Sequence, residues 1–135
     1  MSMSNTTEND TLKALLQGTD PAYRSAANAW LALYTADPGE AGTAITNEAT
    51  YTGYARVQIT KVTAWTDGGS SFANAALVQW PLCSAGTNTI SHFAVVTTAS
   101  GAGQIVYSGA LSSSLAVSAG IQPQAAIGAL TVTQD

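Results

Sequence analysis

The sequence predicts a mainly β protein, a jelly-roll-like antiparallel β-sandwich with one short helix near the N-terminus. Two observations support that fold class. Beyond Trp30 the helix-forming runs give way to about seven or eight short β-branched and aromatic segments, each bounded by Gly, Pro, Asn, Asp or Ser. In the same region no helix-period run is long enough to serve as the crossover of a parallel sheet.

Residues 1–10, MSMSNTTEND, offer a core only two methionines and read as a mobile arm or contact segment. DTLKALLQG then sets Leu12, Leu15 and Leu16 at helical spacing between a capping Asp10 and a stopping Gly18, which predicts a helix over 10–17. Asp20 followed by Pro21 permits a second helical turn. Residues 1–29 are therefore expected to form an arm and helix, and 30–135 a single β-sandwich domain.

Within that domain WLALYT (30–35) is apolar enough for an inner strand, and Asp37-Pro38-Gly39 is a turn in which Pro fixes φ and Gly accepts a positive one. YARVQITK (54–61) alternates, with Val57 and Ile59 on one face and Tyr54, Arg56 and Gln58 on the other. Further strands are expected at ALVQWPL (76–82), TISHFAVVT (89–97), IVYSGAL (105–111), SLAVSAG (114–120) and IGALTVT (127–133). Val57, Ile59, Leu77, Val78, Phe93, Val95, Ile105 and Val106 are the expected core contributors.

Only 9% of the residues are charged, against about 25% in an average soluble domain. So bland an exterior fits a subunit that faces other protein. The net charge is −4, and the four bases Lys13, Arg24, Arg56 and Lys61 are scattered along the chain, which argues against a nucleic-acid partner. Apolar stretches fall short of the ~20 residues that span a bilayer, and the N-terminal segment is polar and acidic, so no membrane partner and no cleaved leader are expected.

Few residues suggest chemistry. His92 is the single histidine, which excludes two-histidine metal motifs, and it reads as a partly buried ring hydrogen-bonded to backbone. Cys83, in an apolar Pro-Leu-Cys context, reads as a small buried side chain. Asp37, Glu40 and Glu48 gather acid around one loop, but without the alternating oxygen ligands of a calcium loop they read as solvated carboxylates. Neither an enzyme nor a cofactor is expected. Trp30, Trp65, Trp80, Tyr34, Tyr51, Tyr54 and Tyr107 suit packing, with a sugar-stacking face as the alternative.

The stretch WLALYTADPGEAGTAITNEATYTGYARVQIT (30–60), continued by SHFAVVTTASGAGQIVYSGALSSSLAVSAGIQPQ (91–124), resembles a family of small tailed-phage virion proteins with an ADPGEAGT turn and a YTGYARV segment. Such proteins are commonly labelled tail fibre or minor structural protein, and they also look like jelly-roll head cement proteins. The resemblance implies a virion structural protein, made in the host bacterial cytoplasm. A compact globule of R_g about 14 Å without heptads or β-helix repeats lacks the build of a fibre shaft. On that ground the expected role is a capsid decoration protein on the head surface, a homodimer or homotrimer that binds neighbouring major capsid protein subunits. The expected contact residues are Asp37, Pro38, Glu40, Glu48, Tyr51, Tyr54 and Arg56. The alternative is a tail or fibre-associated protein that binds a host-surface glycan.

Overall fold

The computed structural model describes residues 2–134. At its centre lies the strand Asn28–Tyr34, β2, whose last four residues are buried. Its run of Leu, Ala and Tyr suits a strand covered on both faces, and it pairs antiparallel with Val57–Thr60 (β3) on one side and Asn88–Val96 (β7) on the other. β7 in turn pairs with the thirteen-residue strand Ile105–Val117, β8, which carries the two-residue strand Ser2–Met3, β1, at its other edge. The five-stranded sheet therefore runs β1-β8-β7-β2-β3. Two smaller antiparallel sheets complete a mainly β fold of the class the sequence predicts. One is built from Thr131–Thr133 (β10), Ser71–Asn74 (β5) and Trp65–Asp67 (β4), the other from Val78–Gln79 (β6) and Gln124–Ala125 (β9).

Register gives each face of the large sheet a different cover. Leu31 opposes Val95 and Val57, and Leu33 opposes Phe93, so these side chains share one face. They join a cluster with Val78, Trp80 and Leu130 from the smaller sheets and their flanks. Trp80 is 1% exposed and donates its Nε1–H to Leu31 O at 3.0 Å, so the indole fills the core and satisfies its one polar atom. On the opposite face Ala32, Tyr34, Ala94, Val96 and Ile105 pack with Ala44 from the long β2–β3 connection.

Several sequence expectations need correction. The helix α1 spans Asn5–Gln17, not 10–17, because Ser4 and not Asp10 caps it. Ser4 Oγ accepts the Thr7 amide at 3.3 Å and donates to Ile105 O at 2.5 Å, while Thr7 Oγ1 donates to the same carbonyl at 2.8 Å. Residues 2–10 are thus docked on the sheet by strand pairing and buried hydroxyls and do not form a mobile arm. Gly18 ends α1 in the left-handed region at φ 68° as expected. The second helical turn, α2, covers Ala22–Ser25 with Pro21 at its cap, and Asp20 instead pairs with Arg24 at 2.5 Å.

The segments expected at 105–111 and 114–120 are one strand, with the three serines 112–114 on its exposed middle. The segments at 76–82 and 127–133 shrink to Val78–Gln79 and Thr131–Thr133. Leu77 is 50% exposed and leaves the expected core, Val57, Ile59, Val95 and Val106 are half-buried, and Val78, Phe93 and Ile105 are buried. Cys83 is buried, and its thiol donates to Ala85 O. His92 bonds through Nδ1 to Ser91 Oγ at 2.8 Å rather than to backbone.

Candidate functional site

The long connection between β2 and β3 gathers the residues that the sequence singled out. It begins with an Asx turn, in which Asp37 Oδ1 accepts the Gly39 amide at 2.9 Å. Gly42 lets the turn fold back tightly, since a Cβ there would lie 2.1 Å from Pro38 O. The Glu40 carbonyl accepts the Asn5 amide at 2.9 Å, which ties this loop to α1. Asn47 then takes a positive φ of 61° and hands the chain to Glu48, which bridges to Tyr34.

Glu48 is not a solvated loop acid. Arg56 gives it a two-pronged ion pair, Nε to Oε1 at 2.7 Å and Nη2 to Oε2 at 2.9 Å, with side-chain exposures of 2% for Arg56 and 14% for Glu48. The remaining guanidinium hydrogens reach Thr98 O and Oγ1 and Gly101 O across the β7–β8 turn. Tyr54 donates to Glu48 Oε1 at 2.9 Å and accepts the Leu33 amide at 3.1 Å. The Glu48 hydrogen bond, together with the carboxylate charge, holds Arg56 above its usual range. Burial raises the phenols of Tyr34 and Tyr54 and pushes Tyr51 up to about 12. Of the seven expected contact residues, Pro38, Tyr51 and Arg56 are buried and Glu48 and Tyr54 are half-buried; Arg56, Glu48 and Tyr54 together brace two loops from within, and Tyr51 donates to Pro81 O at 2.7 Å. Asp37 and Glu40 lie at the exposed rim.

A second site was not visible as a unit in the sequence. Trp65, Phe72 and Val132 share one face of the three-stranded sheet by register, and Val95 and Tyr107 oppose each other on the large sheet. Between these surfaces runs an open groove of about 780 Å³. Tyr23 and Arg24 of α2 and Lys61 form part of its wall, and Asn28, Ser70 and Gln134 add neutral polar groups. Lys61 begins the short helix Lys61–Ala64, α3, and its half-buried ammonium donates to the carbonyl of Tyr23. Burial lowers the Lys61 pKa and raises those of Tyr23 and Tyr107. Of the seven aromatics noted from the sequence, Trp80, Tyr34 and Tyr51 are buried, while Trp65 and Tyr107 reach the groove.

A further surface is set by α1, which turns Ser4, Thr7 and Thr11 to the protein and leaves Leu12, Leu15 and Leu16 at 56%, 70% and 79% exposure. Among the described residues no group of three or more His, Cys, Asp or Glu could hold a metal ion, and no helix is long and apolar enough to cross a membrane.

The fold thus presents a braced loop, an aromatic groove and a helix with three exposed leucines. The class of protein is set by the family match, and it is that of phage structural proteins. The chain belongs to the family described as podophage GP4 fiber I protein gp80, whose model matches residues 2–133. No curated protein matches the chain.

Proposed function

We propose that this protein is a non-catalytic structural subunit of a podophage tail fibre, and that its groove contacts a glycan of the host surface. The observation that carries this reading is membership of a fibre-protein family over residues 2–133. It favours the fibre over the capsid decoration role expected from compactness. The absence of shaft repeats argues only against a shaft, and a fibre also needs globular units where it attaches or ends. The groove supports the glycan contact, because exposed aromatic faces beside neutral hydrogen-bonding groups suit a sugar ring with one apolar and one polar side.

Assembly with copies of itself is supported by the leucine stripe of α1, which would otherwise leave three large apolar side chains in water. No cofactor is required. Imaging of virions carrying a small epitope tag on this chain tests the location. Density or label at the tail fibres is expected. A regular array over the head, with none at the tail, would restore the capsid reading and its major capsid protein partner.

A further inference from the structure

The sequence carries eight acids and four bases, yet the groove is lined by two of the bases and, among the described residues, by no carboxylate. The described acids around it are occupied. Asp20 pairs with Arg24, Asp67 accepts the Gly69 amide at 2.7 Å, and Asp10 accepts from Gln104 and Tyr23 in the smaller adjoining cavity. Lys61 differs from the rest. Its ammonium is half-buried on the groove wall, and among the described residues its one partner is the neutral Tyr23 carbonyl and no ion pair reaches it. Taking a cation partly out of water without a counter-charge is unfavourable, and an arriving anion would remove that cost. Lys61 shares the wall with Trp65, while Tyr107 and Phe72 also line the groove. The site therefore offers aromatic faces for the apolar side of a ring together with a positive charge for an acid carried on it.

We infer that the groove binds an acidic sugar, with the sugar ring against Trp65 and Tyr107 and its carboxylate on Lys61. This rests on the glycan reading above and narrows its ligand class. An acidic capsular polysaccharide and the acidic core sugars of lipopolysaccharide share this chemistry.

The test is titration of the full chain, followed by amide and indole NMR shifts, with three acidic probes: a galacturonate tetramer, a hyaluronan tetrasaccharide and 3-deoxy-octulosonate. The methyl-esterified galacturonate tetramer is the neutral control. Shifts clustered at Lys61, Trp65 and Tyr107 are expected for at least one acidic probe, with the ester about tenfold weaker, as loss of one charged hydrogen bond implies. Lys61→Gln should abolish the preference for the acid, Lys61→Arg should retain it, and Trp65→Ala should weaken acid and ester alike. Purified acidic capsule and delipidated lipopolysaccharide then separate the two sources.

The inference is overturned if none of the acidic probes binds at millimolar concentration, if the ester binds as well as the acid, or if Lys61→Gln keeps the preference. Groove signals that move with protein concentration alone would assign the groove to a second copy of the chain and overturn it too. Failure of the acidic probes to bind a chain imaged on the fibre defeats this inference and leaves the fibre reading standing. Sugar binding by a chain imaged only on the head defeats the fibre reading alone.

Discussion

Arg56 and Lys61 stand five residues apart in the sequence, and the fold treats their charges in opposite ways. Around Arg56 each nitrogen of the guanidinium is answered from within, by Glu48, Thr98 and Gly101, and the result is a rigid joint between two loops. Around Lys61 the answer, among the described residues, is a single neutral carbonyl, beside aromatic rings of the open groove. A cation whose partners are all internal contributes to folding. A cation held half-buried without a counter-charge costs stability and leaves binding energy for something else.

The sharpest way to break the comparison is to remove the carboxylate. Glu48→Ala should cost about 3–5 kcal/mol, the penalty for leaving a buried charge unpaired. Urea unfolding measures it, and a loss under about 1 kcal/mol would mean that the joint is far wetter than its burial indicates. Next in size is the response to alkali. Tyr34, Tyr51 and Tyr54 keep their protons to higher pH in the folded than in the unfolded chain. Their contribution is therefore complete below the ordinary phenol value of 10 and falls as pH rises beyond it, for Tyr51 up to about 12. Urea midpoints collected across that range should hold steady below pH 10 and then drop. A midpoint that stays level up to pH 12 would contradict the burial of all three.

A smaller effect belongs to the cap of α1. Ser4→Ala should lose about 1 kcal/mol by removing an N-cap, somewhat more if the Ile105 carbonyl is left without a replacement donor. Smallest of all is Lys61→Met, whose effect should lie within about 0.5 kcal/mol of zero and lean toward stabilisation. Clear destabilisation there would show that Lys61, like Arg56, acts for the fold.

How legible these regions were in the sequence depends on the distance over which each is built. WLALYT and TISHFAVVT, as dense runs of β-formers, declared their own strands, and Gly18 declared the end of α1. The start of α1 did not, because the carbonyl that anchors its cap belongs to Ile105. Ser112 and Ser113 look like a break by composition, yet an exposed stretch of strand tolerates hydroxyls as readily as a turn does. The acids of the long loop were visible as a group. That Glu48 faces Arg56 was not, because alternation placed Arg56 with Gln58 on an exposed face, while the chain becomes a regular strand only from Val57. The groove was the least legible, since Tyr23, Lys61, Trp65 and Tyr107 meet only after the pairings of two sheets are formed.

The docking of residues 2–7 on β8 also sets a timetable. Ser4 and its carbonyl partner are separated by 101 positions, and Met3 pairs with Tyr107. During synthesis, at roughly 5–20 residues per second, the first strand emerges several seconds before its partner and must wait without its edge. Closing so long a loop places this chain with the slower folders, on the order of milliseconds to seconds once complete. Until then the apolar stripe of α1 is unanchored, so the newborn chain is exposed to premature association just where the mature subunit offers its leucines to neighbours.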